Sequence, residues 1–170
     1  FIDNTLKILS KTVTGDLSQE DLIVCSMNKC IQEAIESYPF TDQEKNKIHY
    51  DPNETFDFSG NPILMMRVFF SLIKNAVEQI SKNNKGEIFI TIEKEKANNI
   101  VKFKDTAGGA PENIAKQLFD GYKTTKAKGT GIGLAFCKFI MKSFNGDITC
   151  QSSYGEYIEF SLILPLIKPI

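Results

Sequence analysis

Three short stretches hold residues whose types and spacing could do chemistry. In SLIKNAVEQI, residues 71–80, an asparagine sits among strong helix formers. At 100° per residue Arg67, Ser71, Lys74, Asn75 and Glu78 share one stripe, opposite Met65, Val68, Phe69, Leu72, Ile73, Ala76 and Ile80. Asparagine is a mediocre mid-helix residue because its amide competes for backbone hydrogen bonds, so Asn75 suggests work for that amide. Its oxygen suits a hard cation, and Mg²⁺ takes few protein ligands beside water and phosphate. A merely solvated face is the competing reading of the stripe. In KGTGIGLAF, residues 128–136, Gly129, Gly131 and Gly133 precede an apolar helix. Absent side chains let N–H groups approach an anion, and the helix N-terminus adds favourable partial charge. A phosphate site follows, although a flexible turn has the same spacing. In KDTAGGAPE, residues 104–112, Asp105 precedes a run of small residues and a proline. Spacing alone leaves open whether this loop holds a phosphate, holds something else or only turns.

Neither common nucleotide fingerprint is present. There is no GxxxxGK[ST], and GTGIGL does not follow a strand as a dinucleotide loop would. Lys123, Lys126 and Lys128, with Thr124 and Thr125, make a basic, hydroxyl-rich segment upstream of the glycines. It could close over phosphates as a lid or simply be solvated.

The elements around these stretches alternate in type. Proline at the start and no interior glycine predict a helix from Pro62 to Ser81. GEIFITIEKE and NNIVKFKD read as a hairpin turning near Ala97, Asn98 and Asn99. Further helices are expected near 112–118 and 132–144, then strands in GDITCQS and YIEFSLIL. Upstream, LIVC reads as a short strand ending in Ser26, a plausible cap for a helix through Ser37. KIHYD and TFDF are short strand candidates around the turn residues Asp51, Pro52 and Asn53. Residues 1–10 read as the end of a longer helix and residues 11–19 as a linker, leaving 20–170 as the domain proper. The expected fold is α/β, a two-layer sandwich with a mixed sheet of about five strands on about three helices.

Twenty basic against twenty-one acidic residues give no global charge to attract nucleic acid or an anionic membrane. Cys25, Cys30, Cys137 and Cys150 lack CxxC spacing and have only His49 for company, so buried free thiols are expected rather than a zinc site. His49 reads as structural. The apolar runs are far shorter than a membrane span. Beginning at Phe1 without methionine, the sequence reads as a piece of a longer protein.

In order and separation, SLIKNAVEQI, DTAGGAP, LFDGYKTTK and GTGIGLAF closely resemble the N box, first glycine box, F box and second glycine box of the ATP-binding domain of bacterial sensor histidine kinases. That family shares the Bergerat fold with gyrase, heat-shock chaperone ATPases and MutL. The resemblance runs from about residue 20 to ILP at 163–165. It implies ATP and Mg²⁺ as cofactors, with Asn75 as the Mg²⁺ ligand and Asp105 accepting a hydrogen bond from the adenine amine. Gly109 would make room for the base, and Phe119 and Tyr122 would anchor a lid. Gly129, Gly131 and Gly133 would serve the phosphates. Glu78, Thr124, Thr125, Lys126, Thr130, Ile132 and Leu134 complete the implied nucleotide contacts.

Ser71 stands where these kinases usually carry the first N-box asparagine and where gyrase-like ATPases carry the glutamate that activates water. Without a carboxylate there, efficient hydrolysis is not expected. Ala107, Ala110 and Gly121 also depart from the usual boxes. The family's phosphoacceptor lies in an upstream histidine-containing hairpin, and no such box occurs here. The implied function is donation of the γ-phosphate to a histidine on a separate dimerisation domain, for relay to a response-regulator receiver. The implied parent is a homodimer in the inner membrane, with this part cytoplasmic and monomeric. YPF and the DTAGGAP variant look similar to membrane quorum-sensing sensor kinases. A serine kinase of the anti-sigma-factor type and a nucleotide-sensing module without transfer are the competing readings.

Overall fold

Asn61 starts the longest helix by accepting hydrogen bonds from Ile63 N (3.0 Å) and Leu64 N (3.2 Å), with Pro62 in the first turn where no donor is needed. The computed structural model describes residues 22–120 and 132–167. The expected tail helix in 1–10 and linker in 11–19 lie outside the described residues. In chain order the elements are β1 (Ile23–Ser26), α1 (Met27–Ser37), α2 (Asp42–Lys45), β2 (Ile48–Tyr50), β3 (Asp57–Gly60) and α3 (Pro62–Asn83). Then come β4 (Ile88–Lys94), β5 (Asn98–Asp105), α4 (Glu112–Ala115), α5 (Ile132–Ser143), β6 (Asp147–Ser153) and β7 (Tyr157–Pro165).

Five strands form one sheet in the order β2-β4-β5-β7-β6. The β2–β4 pair is parallel and the other three are antiparallel. Along β5 the buried residues are Asn99, Val101, Phe103 and Asp105, with half-buried residues between them. This period of two gives the sheet one face that meets the helices. Leu64, Leu72 and Ile73 of α3, Ile31 of α1 and Ile140 of α5 share a core cluster with Ile88, Val101, Phe103 and Leu162 of the sheet. The result is the expected α/β sandwich, with α1, α3 and α5 as its long helices.

The predicted long helix continues two residues past Ser81, to Asn83, and ends where Asn84 turns left-handed. KIHYD and TFDF do not become partners. β2 pairs with β4, whereas β3 lies two residues later than TFDF and pairs with β1 in a separate two-stranded sheet. Ser26 occupies the N-cap position of α1 but its side chain caps nothing. Thr55 does that work, because its Oγ1 accepts from Asn28 N (3.1 Å) while Phe56 O accepts from Met27 N (2.9 Å). A long-range cap of this kind leaves no mark in local sequence.

Thr55→Val removes that acceptor at nearly constant volume. It should cost about 1 kcal/mol of stability by urea denaturation. An unchanged midpoint would show that the N-terminus of α1 does not depend on Thr55.

Candidate nucleotide-binding site

Asp105 is the last residue of β5 and only 4% exposed. Its partners in register are Ile88 on β4 and Ile158 on β7, and Ser152 on β6 continues the row. Directly paired residues project to the same side of a sheet, so a carboxylate stands in an otherwise largely apolar row on the helix-facing side. A buried carboxylate is costly unless hydrogen-bonded, and Asp105 Oδ1 accepts from Ala107 N (3.1 Å). Among the described residues no buried side-chain polar atom lacks a partner. An apolar floor with one strong acceptor at its end is chemically suited to a flat heteroaromatic ring bearing an amine. Cys150, in the neighbouring row, has its thiol pushed up to about 12 by burial first and by the charge of Asp105 second.

The loop after Asp105 is held from two sides. Asn83, at the end of α3, donates from Nδ2 to Ala107 O (2.6 Å), and Glu87 N donates to Thr106 Oγ1 (3.0 Å). From the β6–β7 side, Gly155 N donates to Gly108 O (2.6 Å), and Ser152 Oγ accepts from Ala110 N (2.7 Å). Gly109 has φ +61°, and a Cβ there would collide with the carbonyl oxygens of Tyr157 and Ser153. Close packing against the hairpin therefore already demands glycine at 109, before any ligand is considered. Ala107, where the resemblance has glycine, has no positive φ and buries its methyl in the core at 1% exposure.

Across the helix layer, Ser71, Asn75 and Glu78 are half-buried, whereas Arg67 and Lys74 are exposed. The stripe is thus not uniformly solvated. Ser71 is hydrogen-bonded to the Cys137 thiol of α5, which burial raises to about 12. Glu78 lies close enough to Tyr38 for its charge to help raise that phenol, after burial and Glu44. Asn75 precedes Asn83 by two helical turns, about 12 Å along the axis. One helix therefore carries both the candidate cation ligand and the group that touches the Asp105 loop.

At the start of α5, Ile132 opens the helix and Leu134 is half-buried against the core. Gly133 is exposed, and among the described residues a Cβ there would meet nothing within 4 Å. Packing among the described residues gives no reason for glycine at 133, in contrast to 109. Phe119 packs edge-on against Phe160 (centroids 6.2 Å apart), with Lys138 Nζ 5.2 Å from its ring centroid. Tyr122, Thr124, Thr125, Lys126, Gly129, Thr130 and Gly131 lie outside the described residues. A groove of about 500 Å³ between α4 and β6 includes Cys150 and Ser152 in its lining but not Asp105.

The profile of the family described as histidine kinase-, DNA gyrase B- and HSP90-like ATPases matches residues 60–168. This chain belongs to that family. It is 29% identical over 162 residues to the autoinducer 1 sensor kinase/phosphatase LuxN of Vibrio campbellii, covering 94% of this chain and 19% of that protein. It is 30% identical to the CAI-1 autoinducer sensor kinase/phosphatase CqsS of Vibrio cholerae, covering 79% and 20%. With sporulation kinase C of Bacillus subtilis the identity is 32%, over 64% of this chain and 25% of the relative. The chain thus spans about a fifth to a quarter of the length of these relatives. The nucleotide-free catalytic domain of the histidine kinase ThkA superposes with a TM-score of 0.68 at 20% identity, over 85% of this chain and 95% of that domain. The Bergerat fold expected from the boxes is the fold found, and the quorum-sensing type is among the relatives.

Asn83 and Ser152, which hold the loop, belong to none of the stretches whose residue types point to chemistry. Their contacts to Ala107 and Ala110 span 24 and 42 residues. The only hint was asparagine at the end of the helix, which capping alone explains.

Gly109→Ala should destabilise the empty protein by about 2 kcal/mol or more, because it adds a left-handed backbone penalty to a collision with carbonyl oxygens. Thermal melting without nucleotide checks it. A wild-type melt would mean that glycine is needed only for the ligand.

Proposed function

We propose that the chain binds Mg·ATP and presents its γ-phosphate to a histidine on a separate dimerisation domain, for relay to an aspartate of a response-regulator receiver. Membership of the ATPase family and the sensor-kinase names of the relatives support this reading. The observation that carries it is Asp105, a buried carboxylate at the end of an apolar row within the family-matched region. Asp105 would accept from the adenine amine, and Ile158 beside it would face the ring.

Asn75 would hold Mg²⁺ through its amide oxygen, at the half-buried edge of α3. The metal, when bound, supplies charge neutralisation for the phosphates. N–H groups from Gly131 to Leu134, with Gly129, Thr130 and the lysines and threonines upstream, would take the phosphate oxygens. Gly133 fits this role, since no described residue requires glycine there and its missing side chain keeps the approach to the backbone open. Phe119 and Tyr122 would anchor the segment between them and α5. Ser71 is turned to Cys137 and has no carboxylate with which to activate water, which favours transfer over hydrolysis. Positioning and charge neutralisation are then the domain's contribution, and the nucleophile comes from outside.

Residues 1–10 and 11–19 would be the tail of the dimerisation hairpin and its linker. The parent would be a homodimer in the inner membrane with this part on the cytoplasmic side. Among the described residues no helix is long and apolar enough to cross a membrane.

Asp105→Asn should lower ATP affinity at least tenfold and abolish ATP-dependent thermal stabilisation while leaving the empty protein's melting unchanged. Asn75→Ala should instead remove the Mg²⁺ dependence of binding. With γ-labelled ATP and a separately supplied histidine-containing hairpin, label should appear on the histidine. Label on serine of a partner protein, or none at all, would contradict the proposed transfer.

A further inference from the structure

The two ends of the Asp105 loop are fixed unequally by side chains remote in sequence, and one of them comes from the helix that carries Asn75. Asn83 Nδ2 donates to Ala107 O at 2.6 Å, and Ala107 N donates to Asp105 Oδ1 at 3.1 Å. The same residue thus receives a bond from α3 on its carbonyl and gives one to the carboxylate from its amide. Gly86 closes the third side, because a Cβ there would lie 2.7 Å from Ala107 N and 2.8 Å from its Cα. Ser152 holds Ala110 beyond the two glycines. Gly108 and Gly109, both at positive φ, have little conformational preference of their own. The orientation of Ala107 therefore has to come from its contacts.

We propose that Asn83 is a positioning residue for base recognition, aiming the Asp105 carboxylate by fixing the Ala107 backbone before any nucleotide arrives. The inference rests on the reading of Asp105 as the acceptor for a purine 6-amino group. Asn83 touches no nucleotide in this scheme. Its amide sets the direction of Ala107 N–H, and that N–H leaves Asp105 with one oxygen committed to the loop and the carboxylate plane fixed. Preorganisation of this kind appears as discrimination between ligands that differ at the recognised group, since a loosened carboxylate can still accept but no longer at the required angle. It belongs to the base end alone, so it should be blind to phosphate number and to Mg²⁺.

The test compares ATP with inosine triphosphate, which carries a carbonyl in place of the 6-amino group, and ATP with ADP. Calorimetry is run on the full chain as wild type, Asn83→Ala, Asn83→Asp and Asp105→Asn. Asn83 is exposed, and Asn83→Ala removes the donor without setting a second acceptor against Ala107 O, so at least that variant should melt near the wild type. The expected result is a fall of about fivefold in the ATP-over-inosine-triphosphate preference in both Asn83 variants, with ATP and ADP weakened by the same factor. Unchanged preference in both variants, alongside its loss in Asp105→Asn, would overturn the role of Asn83 while sparing that of Asp105. Weaker binding with preference intact would reduce Asn83 to a structural contact and also overturn the proposal. Preference unchanged in Asp105→Asn would overturn the underlying reading of Asp105, and this inference with it.

Discussion

A carboxylate on the core side of a sheet is the constraint around which this domain is arranged. Asp105 follows Val101 and Phe103 on the buried side of β5, where the next residue in the pattern would ordinarily be apolar. Burying a charge is unfavourable by several kcal/mol unless donors meet it. The chain therefore has to bring donors to the end of β5, and Ala107 N is one. Holding that donor in place draws in the end of α3, the glycine turn at 86 and the β6–β7 hairpin. The loop becomes a junction between the helix layer and the edge of the sheet.

The junction explains why Gly109 and Gly133 are unlike each other. Gly109 is required by carbonyl oxygens of the hairpin, so its absence of a side chain serves the fold. Gly133 stands in open space, so its absence of a side chain serves no packing need among the described residues. On the proposed reading, a base end held by the fold and a phosphate end left open by the described residues suit a ligand that is read at one end and must give up a group at the other. The long helix α3 links them, presenting Asn75 about two turns from Asn83. Ser71, one turn before Asn75, meets Cys137 of α5 and so sits at the contact between the two helices.

Much of this was legible in sequence because the signals were local. Proline at 62, apolar periodicity through α3 and alternation in β4 and β5 reflect backbone preferences and burial that act within a few residues. The order of the four boxes carried the fold further than periodicity could, since it gave the family before any pairing was known. What sequence missed was long-range. Ser26 looks like a cap, but Thr55 is the acceptor, from 27 residues away. β3 pairs with β1 and not with β2, because short strands declare no partner. Asn83 and Ser152 act across the fold on backbone atoms, which no spacing rule detects. Gly109 was expected to make room for a base, and the packing of its backbone against the hairpin carbonyls, across more than forty residues of sequence, carries no mark in the local spacing.

The central claim is that a purine lies against the sheet row that ends in Asp105. It is tested most directly by nuclear Overhauser effects between ADP and the methyl-labelled wild-type protein. Contacts from the adenine ring protons to the Ile158 methyls, beside Asp105 in register, are the predicted result. Adenine contacts confined to the groove between α4 and β6, with none at Ile158, would contradict it.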